Sequence, residues 1–484
     1  MEPIILMVVL GAVVVLLALL ATGIPVAFAL AAAGSLGLLV LSGTDILSST
    51  LGNLPYQATA QVTLVVIPMF VLMGVLAEKA RIAEDVFILG HRMLRRLPGG
   101  LALASLFACA AFGAVSGSSV ATTATIGRMS IGQMQKYGYS TAFAAGVVAA
   151  GGTLSFLIPP SIVLVVYALM TGESVGRMLT AGIVPGIVTV LVFGTLIITR
   201  SILNPESVGG ASRRVRAAAA EIQTPVMVGR SASAVGENAG GSSSSTPRTA
   251  DDADALFDEM AEKRRGYSGA VKIAILFTVV IGGIYTGILT ATESAAAGAT
   301  VAFIIILLEV SRVGFSGLMA LIRDSFSEAA SVSSFIFAIL IGASIFTYFL
   351  VSAGVPREFA NWVIGMDPPP YLIIILLLAL MIPLGMFLDS LSILLIVIPL
   401  AYPVVTGLGF DGVWFGILMI KLIELGLITP PVGMNVFVLA GTKGVTLEDA
   451  FKGVMWFIPM DVAVVAILFV FPDLVTWLPD MIQN

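Results

Sequence analysis

Residues 4–22 contain no charged side chain, and similar apolar runs recur at 24–41, 62–76, 183–199, 273–289, 295–308 and 454–471. A helix needs about 20 such residues to cross the hydrocarbon core of a bilayer. Only 11% of the 484 residues are charged, against about 25% in a water-soluble domain, so most of this chain must bury or face lipid. Strands of a membrane barrel would alternate apolar and polar residues, and these runs do not. The expected fold class is an all-α polytopic membrane protein. Met1-Glu2-Pro3 lacks the basic n-region of a signal peptide, so the first run is expected to be a retained helix.

Several chemistries are excluded early. The single cysteine, Cys109, can form neither an internal disulfide nor a thiolate metal site. The single histidine, His91, sits beside Arg92, Arg95 and Arg96 and is expected to face water or headgroups. Gly407-Leu408-Gly409-Phe410-Asp411-Gly412 fits a dinucleotide fingerprint, but it joins two apolar segments and no strand precedes it. There is no Walker A sequence for ATP, no H-E-x-x-H, and no basic-aromatic patch for nucleic acid. An intramembrane enzyme would need a nucleophile–base or metal constellation, and Cys109 has no partner histidine.

Residues 201–268 interrupt the apolar pattern with Gly240 to Ser245 (GGSSSS) and the acidic Asp251-Asp252-Ala253-Asp254. This stretch reads as a mostly disordered cytoplasmic linker, and Lys263-Arg264-Arg265 reads as the flank of a cytoplasmic helix. The halves on either side resemble one another. Pro160 and Pro431 lie 271 residues apart, as do Gly182 and Gly453, and Gly172 and Gly444 lie 272 apart. Gly113 to Ser119 aligns near Gly385 to Ser392. Duplicated halves are characteristic of secondary transporters.

Basic residues concentrate on cytoplasmic loops. With the N-terminus outside and residues 99–128 and 370–398 as re-entrant hairpins, segments 79–97, 128–138, 200–272, 309–326 and 441–453 hold 21 of the 24 basic residues. Only Arg177, Arg357 and Lys421 lie elsewhere. The expected organisation is two inverted-topology repeats. The first spans 1–200, with scaffold helices in 1–97, a hairpin and broken helix in 98–170 and a helix at 178–200. The second spans 269–484, with scaffold helices in 269–350, a hairpin and broken helix in 370–440 and a helix at 453–474.

Non-helical backbone is tolerated at membrane depth only where protein or a water-filled cavity surrounds it. Four places demand it. Two are hairpin tips, Ser116-Gly117-Ser118-Ser119 and Leu388 to Ser392. Two are helix breaks, Gly151-Gly152-Thr153 to Pro159-Pro160 and Gly426 to Thr429-Pro430-Pro431-Val432-Gly433. Proline removes a backbone donor and frees carbonyls. Those carbonyls, with Ser and Thr hydroxyls, suit a small alkali cation, and helix N-termini at the same depth favour an anionic carboxylate. Asp389 is a carboxylate in an apolar run and hence a functional candidate. Lys421 and Glu424 share a helical face, either as a structural ion pair or as a proton relay. Gly182-Ile183-Val184-Pro185-Gly186 reads as a close-packing site.

The stretches 113–127, 151–168, 172–186, 385–404 and 426–438, above all the SGSS and ITPPVG segments, resemble the large membrane subunit (DctM-like) of tripartite ATP-independent periplasmic (TRAP) transporters. The resemblance covers nearly all of both halves; the Gly/Ser-rich linker departs from it. It implies Na⁺-coupled import of a small carboxylate across the bacterial inner membrane by an elevator mechanism, without ATP. A transport domain built from both hairpins and both broken helices would slide against a scaffold of the remaining helices, and scaffold helices joined by the amphipathic segments near 43–60 and 311–327 would brace it. The implied partners are a small four-helix membrane subunit (DctQ-like), a periplasmic solute-binding protein and membrane lipid. One sodium site would use Ser116, Ser118, Ser119, Gly152 and Pro159; the other would use Asp389, Ser390, Ser392 and Thr429. Substrate would meet Ser118, Thr153, Ser390, Gly433 and Asn435. A dicarboxylate/sodium symporter working alone is the alternative, and a channel fits the duplicated hairpins less well.

Overall fold

The computed structural model describes residues 3–208, 268–310, 315–365, 369–442 and 444–483. Among them, nine helices are long and apolar enough to cross a membrane, and the only β-pairing is the isolated bridge between Tyr139 and Val208. The protein is an all-α polytopic membrane protein. Most of the linker, including Lys263-Arg264-Arg265 and residues 311–314 of the second bracing segment, lies outside the described residues.

The same order of elements occurs in both halves. Pro3–Ala21 leads to Val26–Thr59, Val62–Lys79 and Ile82–Leu94; Ser268–Phe277 with its extension to Tyr285 leads to Ala291–Val310, Phe315–Ser352 and Val355–Gly365. Each set is followed by a helical hairpin and a helix broken at a Pro-Pro pair. Val26–Thr59 bends at Gly43, whose φ of 79° an L side chain rarely adopts. Beyond Gly43 the segment, which covers the amphipathic stretch near 43–60, is mostly exposed.

The two scaffold sets interlock across the halves. Val26–Thr59 makes its broadest contact with Phe315–Ser352, and Val62–Lys79 with Ala291–Val310. Small residues permit the approach, as in membrane helices generally: a Cβ on Gly34 would lie 2.8 Å from the Phe346 Cα. Ion pairs add ties at the margin, Lys79 to Glu328 at 3.0 Å and Lys272 to both Asp85 (3.3 Å) and Glu309.

Several boundaries differ from expectation. The second hairpin arms run to Lys136 and Gly407, past the 128 and 398 expected. The helix expected at 178–200 is Val175–Ala181 followed by Ile183–Leu203, and that at 453–474 is Phe457–Val470 between two shorter helices. The linker begins later than Ser201. Ser201 is buried and donates to the Ile197 carbonyl at 2.7 Å, and the Ser207 carbonyl accepts from the Ser140 N–H at 2.9 Å. His91 is also corrected. It is buried, with its ring edge-on to Tyr137, because helix Ile82–Leu94 turns Phe87 and His91, four residues apart, onto its inner face.

Candidate functional site

Hairpin A comprises Gly100–Ser116 and Ser119–Lys136. Its first arm ends at Gly117, which takes the left-handed conformation (φ 60°) common just past a helix C-terminus. Ser118 is extended and caps the second arm, its hydroxyl accepting from the Ala121 N–H at 3.3 Å. Hairpin B comprises Pro370–Ala379, Met381–Phe387 and Ser390–Gly407. There the cap is a carboxylate: Asp389 Oδ1 accepts from the Leu391 and Ser392 N–H groups at 3.1 Å, and Oδ2 accepts from the Ser392 hydroxyl.

Each hairpin leans on the broken helix of its own half. Break A separates Thr141–Thr153, with a 3₁₀ turn over Leu154–Phe156, from Ile162–Thr171; break B separates Gly412–Gly426 from Met434–Ala440. Both Pro-Pro bonds, 159–160 and 430–431, are cis. Gly113 on hairpin A approaches Ser155, and Gly385 on hairpin B approaches Gly426. These two contacting pairs are related by 272 and 271 residues, the spacing seen in the sequence. Each post-break helix then packs on the hairpin of the other half, Ile162–Thr171 on Ser390–Gly407 and Met434–Ala440 on Ser119–Lys136. Hairpins and broken helices therefore form one interleaved body.

Of the residues expected at the first cation site, the structure joins Ser116 and Gly152 through two residues not singled out in the sequence. The Ser116 and Thr122 hydroxyls are 2.8 Å apart; Ser155 Oγ donates to Thr122 Oγ1 and to the Gly152 carbonyl, both at 2.9 Å as alternative acceptors for its one proton. Gly117 packs against the Pro160 carbonyl, so the hairpin tip touches the Pro-Pro break. Pro159 is buried there. Ser119 is buried and accepts from Asn435 Nδ2 at 2.6 Å, a bond linking residues 316 apart in sequence. Asn435 Oδ1 and Thr123 Oγ1 are buried beside this junction without a hydrogen-bond partner. They are two acceptors in a region already rich in oxygen.

Asp389, Ser390 and Ser392 form a tip of their own, with Ser390 and Ser392 buried. The Thr429 hydroxyl turns back to the Leu425 carbonyl at 2.6 Å, and the Thr153 hydroxyl to the Ala150 carbonyl at 2.7 Å, so both are engaged within their own helices. Gly433 opens the post-break helix with φ 59°. The Asn435 N–H donates across the break to the Leu427 carbonyl at 3.2 Å. Gly182 and Gly186 pack against Leu157 and Ile158 of break A, as expected of a close-packing site. Lys421 and Glu424 pair at 3.0 Å, and Asp461 joins them.

Two hairpins set against two broken helices, with hydroxyls, carbonyls and one carboxylate gathered at buried turns, have the build of a membrane carrier. Over residues 13–474 the chain matches the family described as Tripartite ATP-independent periplasmic transporter, DctM component, and it belongs to that family. The C4-dicarboxylate TRAP transporter large permease protein DctM of Pseudomonas aeruginosa is 30% identical over 425 residues, covering 88% of this chain and 86% of that one. The sialic acid TRAP transporter large permease protein SiaM of Vibrio cholerae is 25% identical over 471 residues, covering 96% and 97%. The crystal structure of the YdaH transporter of Alcanivorax borkumensis shares the fold, with a TM-score of 0.56 over 90% of each chain at 13% identity.

Proposed function

We propose that this chain carries a small organic acid into the bacterial cell, coupled to inward Na⁺ movement. On this reading, a periplasmic binding protein delivers the substrate and a small membrane subunit accompanies the chain. The observation that carries the reading is the junction of hairpin A with break A and with Asn435. There Ser116, Thr122, Ser155 and the Gly152 carbonyl form a continuous set of neutral oxygens at 2.8–2.9 Å. Hard oxygen donors of this kind replace the hydration shell of a small cation. Hairpin B offers the counterpart, with the Asp389 carboxylate beside the Ser390 and Ser392 hydroxyls. The N-termini of Ser119–Lys136 and Ser390–Gly407 would offer partial positive charge to a carboxylate. Gly433 and Asn435 would meet the substrate from break B, and Ser118, Ser390 and Thr153 from the remaining turns.

The two halves are read as inverted repeats with the N-terminus outside. The interleaved hairpins and broken helices would travel as a unit along a scaffold of the helices within 3–94 and 268–365. Where the two bodies meet, Gly74 of Val62–Lys79 lies against the Ser116 backbone, and Glu78 accepts from the Thr125 hydroxyl at 3.2 Å. Ion binding orders the tips that hold the substrate, so sodium and substrate affinities are linked reciprocally.

The test is uptake of labelled C4-dicarboxylates and sialic acid into proteoliposomes holding the chain and its small subunit, under an inward Na⁺ gradient. Uptake that requires both sodium and a binding protein is expected. Sodium-driven uptake with no binding protein would replace this reading with the stand-alone symporter. Uptake indifferent to sodium would remove the coupling ion.

A further inference from the structure

Lys421 and Glu424 lie one turn apart on Gly412–Gly426, and Asp461 faces them from Phe457–Val470. All three side chains have 0% exposure. The Lys421 ammonium is 3.0 Å from Glu424 Oε2 and 2.6 Å from Asp461 Oδ1, and it sits 5.6 Å from the centre of the Phe193 ring. The cation is thus enclosed by two carboxylates and an aromatic face. The cluster counts one ammonium against two carboxylates. If both were ionised, an uncompensated negative charge would lie sealed from water, which low-dielectric burial strongly disfavours. The outer oxygens, Glu424 Oε1 and Asp461 Oδ2, are buried and accept no hydrogen bond.

Among the described residues, no other charge in the surrounding helices offers compensation. Arg177 is held by Asp411 at 2.9 Å, Asp480 at 3.2 Å and Glu173 at 3.9 Å. Arg200 lies 3.8 Å over the Trp456 ring, and Lys452 pairs with Glu448. Asp449 is capped by Thr446, and Asp473 is exposed at a helix start. Of the tyrosines nearby, Tyr402 donates to Glu173, Tyr167 donates to the Gly412 carbonyl, and Tyr371 meets the Phe410 and Phe469 rings edge-on.

We propose that Lys421, Glu424 and Asp461 form a proton-binding site in which the two carboxylates together hold one proton, leaving the cluster neutral. A metal cation fits less well. Hard cations take about six oxygen ligands, and the cluster presents at most three carboxylate oxygens without a hydrogen-bond partner, while the ammonium already occupies the space between the carboxylates. A proton needs only one or two oxygens. The position gives it consequence: Glu424 is two residues before Gly426, where break B begins and hairpin B makes its closest approach. The bound proton therefore fixes the half-helix carrying break B onto Phe457–Val470. This site stands apart from the sodium sites and does not depend on the transport reading.

Infrared spectroscopy of the purified full chain in detergent, in H₂O and D₂O at neutral pH, tests it without any substrate. The difference between wild type and Asp461→Asn should contain one carboxylic-acid carbonyl band that shifts on deuteration. Glu424→Gln should remove the same band, because each change leaves a neutral ion pair with Lys421 and no need for the proton. Lys421→Met leaves two carboxylates without a cation, and the band should grow about twofold as a second proton binds. If Lys421→Met fails to fold, the two near-isosteric variants decide the matter alone. Absence of a deuterium-sensitive band from both difference spectra would overturn the proposal. So would a wild-type band that fades as NaCl replaces choline chloride, which would make the cluster a sodium site.

Discussion

Hairpins A and B share a backbone plan but not a chemistry. Hairpin A is joined to its break by neutral hydroxyls, Ser116 to Thr122 to Ser155, and to the other half through Asn435. Hairpin B meets its break backbone to backbone, Gly385 on Gly426, and holds its own tip with the Asp389 carboxylate. Ser155 stands at the repeat position of Gly426. One half fills the hairpin–break contact with a hydrogen-bonding side chain, and the other closes it by removing the side chain. Duplicated architecture thus leaves two tips of different charge: A can offer a cation only dipoles, whereas B offers a formal negative charge.

Exchanging the equivalent residues should break the comparison most severely. In Gly426→Ser the new side chain meets the Gly385 backbone, which cannot rotate away, and the clash should cost about 3 kcal/mol. Folded protein should be nearly lost from detergent extracts followed by gel filtration. Ser155→Gly leaves a gap and loses its hydrogen bonds, costing about 1–2 kcal/mol, so that variant should fold with a lower melting temperature. Equal damage from both exchanges would show that the two contacts are not built differently.

Asn435→Leu removes the side-chain hydrogen bond from break B to Ser119 of hairpin A, and it leaves Ser119 buried without its donor. The protein should fold, yet sodium-driven uptake should drop by about tenfold, as expected when a group that assembles the site is lost. The melting temperature should fall less than in Gly426→Ser. Normal uptake by a folded Asn435→Leu protein would mean that hairpin A works without the opposite half.

Asp389→Asn isolates charge from geometry. Asparagine caps a helix about as well as aspartate, so the hairpin B tip should keep its shape. If Asp389 lines the proposed sodium site, the sodium concentration for half-maximal uptake should rise about fivefold, because one unit of opposite charge is removed from it. Unchanged sodium dependence would assign Asp389 to capping alone.

The sequence displays the apolar spans and the four irregular turns because their chemistry is local. A charge-free run reads as a span, and Pro159-Pro160 or Pro430-Pro431 reads as a break, without knowledge of anything else. The constant spacing also shows that a hairpin and a break recur in each half, although the exact arm lengths are not legible and their contact was only implied by the family resemblance. What escaped was long-range. Asn435 meets Ser119 across 316 residues, and Asp461 reaches Lys421 from another helix; no local pattern announces either contact. Thr122 and Ser155 were within sight, inside VATTAT and TLSF, but which hydroxyl faces the tip depends on helix rotation near the break. His91 shows the opposite error. Its arginine neighbours suggested exposure, whereas its four-residue spacing from Phe87 places it inward.

The smallest expected effect tests how far the neutral tip tolerates loss. Ser116→Ala removes one member of the hydroxyl set, but Thr122 keeps its contact with Ser155. The Ser116 position is buried, so the truncation should cost about 1 kcal/mol and lower the melting temperature slightly. On the proposed reading several oxygens would share the cation at hairpin A, so removing one should raise the half-saturating sodium concentration less than twofold, within the modest range of one neutral ligand. Measured beside Asp389→Asn in the same vesicles, a shift of equal size would mean that hairpin A depends on single groups as hairpin B does. A smaller shift would support a division in which dipoles at one tip act collectively and the charge at the other acts alone.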